Sequence, residues 1–247
     1  MQALSIFRIL YMKELKESFK TPMVYILTGL FCFLMGGLFY NYVVGSQELT
    51  KGNLSLNVLV PLFGNMNFIF LFLAPLLTMR SYIDEKKNST IDLLMMSPAG
   101  DYSILLSKFF CSLTVAAFML APTFIFPIIL STSGYDDWGV VFSSYLGIIM
   151  SVGCYLSVGL MASTLTNNQI VSAISAFVIL LGFMLLVVVG RVSNNFLVSQ
   201  MVNYMSVPYH YEGFARGVIR SYDMVFYFSF SGIFLYLSHK IVASRNL

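Results

Sequence analysis

Few residues of this 247-residue chain could do chemistry, and none of them forms a catalytic pattern. The two histidines, His210 and His239, lie far apart, and neither belongs to an HExxH zinc motif. There is no GxxxxGK[ST] phosphate loop and no GxSxG motif with a plausible base. The three cysteines stand singly inside apolar stretches, without the spacing of a metal site. We therefore expect neither catalysis nor a bound metal or cofactor.

Ionisable residues are also scarce where an ion-coupled carrier would need them. Proton- and ion-driven carriers usually hold a carboxylate or base inside the membrane. The nearest candidates, Lys108 and Asp223, lie at the ends of apolar stretches. If the protein drives an uphill process, we expect the energy to enter through a partner.

The composition predicts an integral membrane protein. Hydrophobic residues make up 58% of the chain and charged residues 10%, whereas a soluble domain carries roughly 25% charged residues. A surface this poor in charge must be covered largely by lipid. The net charge of +3 is small, and its basic residues cluster near predicted membrane ends, so we expect no nucleic-acid partner.

Six apolar segments are long enough to cross a bilayer as helices. The fourth and fifth share an uncharged stretch, with a polar turn at 164–169. The fold class is therefore an all-α membrane protein with six transmembrane helices in a single domain, residues 1–247. The predicted segments are 23–44, 58–79, 103–130, two within 138–190, and 224–241. Pairs of small residues four apart in the fourth segment predict close helix packing there.

The first 21 residues predict an amphipathic helix that lies in the membrane interface on the cytoplasmic side. Its apolar positions recur at helical spacing over 3–20. They are Leu4, Phe7, Tyr11, Leu15 and Phe19.

Lysine and arginine placement predicts the orientation. Six spans put both termini on one side, and that side carries ten of the fourteen Lys and Arg residues. Both termini and the 79–102 loop are therefore expected in the cytoplasm, and the 191–222 loop outside it.

The 79–102 loop contains a second signal. Ser89 and Asp92 fit a capping box, and Pro98 would end the helix that starts there. Ile91, Leu94 and Met95 would form its apolar face. Such a helix suits docking into a groove of another protein. A helix lying on the membrane fits the residues equally well.

The same loop resembles the signature of ABC-2 type transporter permeases: an acidic–basic pair, Thr, Leu-Leu, Pro and a basic residue opening the next helix. This chain has serine where the family usually has glycine. The resemblance implies that the loop binds a separate ABC ATP-binding subunit, which holds the ATP and Mg. The residues implied in that contact are Glu85, Lys86, Ser89, Thr90, Ile91, Leu93, Leu94, Met95 and Pro98, with Lys108 as the basic residue.

Two more stretches carry the resemblance. Ser163-x-x-Thr166-x-x-Gln169 is similar to the family's turn between helices four and five. Residues 211–219 resemble the branch with gliding-motility-associated and nitrous-oxide-reductase-maturation permeases. The resemblance implies a type V exporter-like fold in the bacterial cytoplasmic membrane. It also implies a second permease, identical or homologous, and leaves room for an extracytoplasmic or membrane accessory protein.

The resemblance further implies short re-entrant or interfacial helices in the 191–222 loop that help close a pathway. The candidate gate residues are Glu212, Phe214, Arg216 and Gly217. Glu212 and Arg216 are four apart and could form an ion pair on a helix. An interfacial anchor without gating is the alternative for this loop. For the whole chain, the alternatives are a scaffold that transmits force without transport, and a secondary carrier or channel.

Overall fold

A computed structural model describes residues 2–46, 55–87, 100–132, 136–192 and 196–244. All regular structure in these ranges is helical. A π-helical turn, Ser55–Leu59, leads into the third helix, and a 3₁₀ turn, Ala121–Phe124, joins the fifth to the sixth. The helices are α1 (Gln2–Lys20), α2 (Pro22–Ser46), α3 (Val60–Thr78), α4 (Ile83–Lys87), α5 (Asp101–Leu120), α6 (Ile125–Thr132), α7 (Trp138–Leu165), α8 (Gln169–Val192), α9 (Phe196–Tyr204), α10 (Val207–Ala215) and α11 (Ser221–Ala243).

Six helical stretches within the described ranges are long and apolar enough to cross a membrane, as the sequence predicts. The turn between the fourth and fifth lies at 166–168, inside the predicted 164–169. The stretches are Pro22–Gly45, Asn57–Lys87, Tyr102–Thr132, Trp138–Leu165, Gln169–Gly190 and Ser221–Ala243.

Helix α7 is the centre of the bundle. In the apolar stretch of α7, 83% of the residues are buried, whereas 17% are buried in the apolar stretch of α8. The small residues predicted to allow close packing do so: Gly147 lies against Phe214, and Gly159 against the side chain of Thr78. Larger side chains at these glycines would separate the helices, so α7 can contact α3, α5, α8, α10 and α11 together.

The predicted N-terminal helix exists as α1, and its apolar face packs on α5. The Phe7 ring meets Phe110 edge to face, and the Tyr11 hydroxyl hydrogen-bonds Thr114 at 2.8 Å. The face that the sequence assigned to the membrane interface is therefore largely covered by protein. Two apolar side chains on another side of α1, Ile9 and Met12, are 69% and 43% exposed. Among the described side chains of α1, these are the two large apolar ones exposed enough to contact lipid.

Candidate functional site

A buried lysine joins three helices at the end of the bundle that carries α1. Lys108 of α5 is 2% exposed. Its Nζ lies 3.0 Å from Glu14 Oε1 of α1 and 2.7 Å from Glu85 Oε1 of α4. We call these three residues the Lys108 cluster.

Each partner in the Lys108 cluster is needed by the others. A charge taken out of water is tolerated when it is paired and hydrogen-bonded, and removing one partner leaves an uncompensated charge. The ammonium donates to two carboxylates and also lies 5.2 Å from the centre of the Tyr82 ring. The cluster therefore fixes α1, α4 and α5 to one another.

Lys86, the residue after Glu85, attaches α4 to a fourth helix, α7. Lys86 Nζ donates to three backbone carbonyls at the end of α7, those of Ser163, Thr164 and Thr166, at 3.1, 2.8 and 2.9 Å. Carbonyls at a helix C-terminus lack partners inside the helix and carry partial negative charge. A lysine there is a favourable cap.

A third residue of α4, Asp84, completes this attachment. Gln169 Nε2, at the start of α8, donates to Asp84 Oδ1 at 2.6 Å. Residues 84–86 are thus bound to α5, to the end of α7 and to the start of α8, and they reach α1 through Lys108. A displacement of α4 would act on all of these helices at once.

The structure places two of the predicted partner-binding residues, Glu85 and Lys86, in bonds within the chain. Their side chains hold the segment in position, as described above. The others fall in residues 88–99, outside the described residues, between the end of α4 and the start of α5. They are Ser89, Thr90, Ile91, Leu93, Leu94, Met95 and Pro98.

At the opposite end of the bundle, the candidate gate residue Phe214 is an internal anchor. It is fully buried against Gly147, and its carbonyl accepts a hydrogen bond from Ser143 Oγ at 3.0 Å. Helix α10 buries one stripe of side chains at helical spacing on α7 and its neighbours. The stripe consists of Val207, His210, Tyr211, Phe214 and Ala215.

The other gate candidates lie where α10 ends. Gly217 has φ of +83°, a conformation that favours glycine, and its N–H donates to the Phe214 carbonyl at 3.1 Å. Val218 N–H donates to the Gly213 carbonyl at 2.9 Å, which completes a Schellman cap. Glu212 and Arg216 form the predicted ion pair at 2.6 Å, with side chains 54% and 63% exposed.

One buried pair at this end was not found from the sequence. His210 Nδ1 lies 2.6 Å from Asp223 Oδ1, and His210 Nε2 lies 3.0 Å from the Tyr204 carbonyl oxygen. A carbonyl only accepts, so Nε2 carries a hydrogen. The sequence did contain one indication of this pair, because a histidine and an aspartate lie on either side of a short polar connection.

No group of three or more His, Cys, Asp or Glu side chains among the described ranges could hold a metal ion. Ion pairs and hydrogen bonds between helices hold both polar sites together. The first gathers elements beside the 79–102 loop, and the second closes the 191–222 loop on the last span.

Comparison with known families agrees with this architecture. The sequence profile described as "ABC-2 family transporter protein" matches residues 8–234, most of the chain. The chain belongs to this family. Among curated proteins, the comparison finds no match. As an ABC-2 family member, the chain is a multi-pass permease subunit of an ABC transporter, and the family implies an ABC ATPase partner.

The family assignment and the six-span all-α fold are thus confirmed. Finer statements about this ABC-2 permease stay predictions. They are its place in the gliding-motility and nitrous-oxide branch, its location in the bacterial cytoplasmic membrane, and the cytoplasmic placement of both termini.

Proposed function

We propose that this chain is the coupling permease of an ATP-driven transporter, in which the 79–102 loop receives movement from a separate ATPase. The observation that carries the proposal is the attachment of residues 84–86 to α5, α7 and α8 and, through Lys108, to α1. The chain would work as a pair with a second permease, and two ATP-binding subunits would bind the two loops.

In this account, ATP draws the two ATPases together and shifts the residues that follow α4. The Lys108 cluster passes the shift to α1 and α5, because its charges are buried and lose too much by separating. Lys86 passes it to the end of α7, the central helix of the bundle. Export through a pathway between the two permeases, or mechanical work across the membrane, would follow.

The loop contact itself can be tested with Leu94→Asp. Leu94 lies on the apolar face predicted for the helix after Ser89, and a carboxylate there would enter an apolar groove. We expect the variant to lose both co-purification of the ATPase and its stimulated hydrolysis. Asn88→Asp, a polar exchange before the predicted cap, should retain both. Unchanged values for Leu94→Asp would contradict the placement of the contact.

A second candidate function is force transmission to an extracytoplasmic partner without solute transport. Helix α9 favours it, because none of its residues is buried and Phe196 and Met201 are 76% and 73% exposed. The two functions differ in what stimulates the ATPase. A transporter responds to a solute or amphiphile, whereas a force transmitter responds to an added extracytoplasmic protein.

A further inference from the structure

A cavity of about 380 Å³ opens between α3 and α8 beneath the α9–α10 pair. Its volume lies within the range of roughly 300–1,000 Å³ that small-molecule sites occupy. Neither the Lys108 cluster nor the His210–Asp223 pair lines it.

The lining of the cavity changes character along its length. Its roof is polar, with Asn203, Tyr209 and Glu212, whereas its walls are mainly apolar. On α3 the lining runs from Val60 to Leu71, about 16 Å at the rise of a helix. That length is close to half of the hydrocarbon core, which is about 30 Å thick.

A buried hydroxyl next to the cavity lacks a partner. Tyr211 lines the cavity and is 5% exposed, and its hydroxyl makes no hydrogen bond within the described residues. Burial raises the pKa of Tyr211 well above that of an ordinary tyrosine, so the phenol stays protonated and can donate. A buried donor of this kind costs stability unless an acceptor reaches it.

We propose that this cavity binds one acyl-chain amphiphile, with its chain along α3 and the acceptor oxygens of its head region near Tyr211 and Asn203. The one-leaflet depth, the apolar walls and the polar roof together select a lipid-like molecule. In the proposed orientation of the permease, the 191–222 loop lies outside the cytoplasm. The cavity then lies in the outer leaflet, and this placement rests on the proposed function. The occupant has two sources with the same chemistry, a resident bilayer lipid or an exported cargo.

The chain offers a matched pair of variants for the test. A Cβ at Gly64, which lines the cavity, would meet no atom within 4 Å, so Gly64→Leu fills the cavity without a backbone clash. Gly232 in α11 has equally open surroundings and does not line the cavity, so Gly232→Leu is the control. Tyr211→Phe removes only the hydroxyl.

The probe is phosphatidylethanolamine with a diazirine in its acyl chain, in vesicles that also contain phosphatidylglycerol. After illumination of the full-length permease without ATP, mass analysis locates the labelled peptides. We expect labelling of α3, its loss in Gly64→Leu, and its retention in Gly232→Leu. Tyr211→Phe should weaken labelling about fivefold, the size of one hydrogen bond.

Equal labelling of Gly64→Leu and Gly232→Leu would overturn the site. Absence of label together with a disulfide between two copies carrying Phe68→Cys would also overturn it, because a second permease would then cover the opening. With the ATPase bound, label that persists through ATP turnover identifies a resident lipid, and label lost on ATP addition identifies cargo. Both results support the site. Because binding is measured without ATP, its failure leaves the coupling proposal standing.

Discussion

The two ends of this molecule each hold a buried ionisable group bonded to a carboxyl group, and the two arrangements differ in reach. Lys108 bonds Glu14, 94 positions away, and Glu85, 23 positions away. His210 bonds Asp223 only 13 positions away. The first arrangement unites three helices from separate parts of the chain, whereas the second closes one connection. In the proposed function, this long-range pairing would carry a movement at one loop to several spans.

The surroundings of the two sites sharpen the contrast. The Lys108 cluster stands beside the loop expected to meet the ATPase, and Lys86 extends its reach to α7. The His210 ring stacks on Phe226, with centroids 3.9 Å apart, inside a set of aromatic rings at the start of α11. We therefore expect perturbations to spread from the first site and to remain local at the second.

The largest effect should come from Lys108→Ala. It leaves Glu14 and Glu85 without their cation, and breaking such a buried pair costs about 3–5 kcal/mol. Equilibrium unfolding in mixed micelles measures the loss. Lys240→Ala, at an exposed lysine of α11, should stay within about 0.5 kcal/mol of the parent. Similar losses for the two variants would mean that the Lys108 cluster contributes no special stability.

A smaller and more local effect is expected from His210→Ala. The change removes two hydrogen bonds and leaves Asp223 buried without its partner, at a cost of about 1.5–3 kcal/mol. Hydrogen exchange should accelerate across residues 207–223 and stay unchanged in α4. His239→Ala, at the other end of α11, is the control. Acceleration that reached α4 would break the distinction between a local and a long-range site.

The smallest of the three effects should come from Lys86→Met. Its three carbonyl acceptors can bond water instead, so the loss should be about 1–2 kcal/mol. Exchange should rise at 163–169, where α7 ends. Lys87→Met, at the exposed neighbour, should have no such effect. If both variants behaved alike, Lys86 would not connect α4 to α7.

The sequence predicted what depends on local pattern. Runs of apolar residues predicted the six spans, and helical spacing of apolar residues predicted α1. A separation of four residues predicted the Glu212–Arg216 ion pair. It also indicated, through Gly147 and Gly159, that the fourth span packs closely. Each of these signals lies within one element.

The two buried sites could not be read in the same way. Lys108 near the end of an apolar stretch does signal that a carboxylate must meet it. Six acidic residues lie near the same membrane end, and only the tertiary packing of α1 and α4 on α5 selects Glu14 and Glu85. They are Glu14, Glu17, Asp84, Glu85, Asp92 and Asp101. The His210–Asp223 pair likewise depends on how α10 folds back on α11.

The most direct test of the coupling account separates stability from transmission. The triple variant Glu14→Gln, Glu85→Gln and Lys108→Met keeps the volume of the cluster while removing all its charges, so it should remain folded. A cysteine at Val218, 47% exposed in the 216–220 connection, reports on the opposite end. The described native cysteines are buried or half-buried, and Cys111 and Cys154 are shielded from a polar maleimide.

The measurement is the rate of Val218→Cys modification by that maleimide in the complex with the ATPase, with and without ATP and Mg. We predict that ATP changes the rate in the parent background and leaves it unchanged in the triple variant, although the ATPase stays bound. An equal ATP-dependent change in both would contradict transmission through the Lys108 cluster.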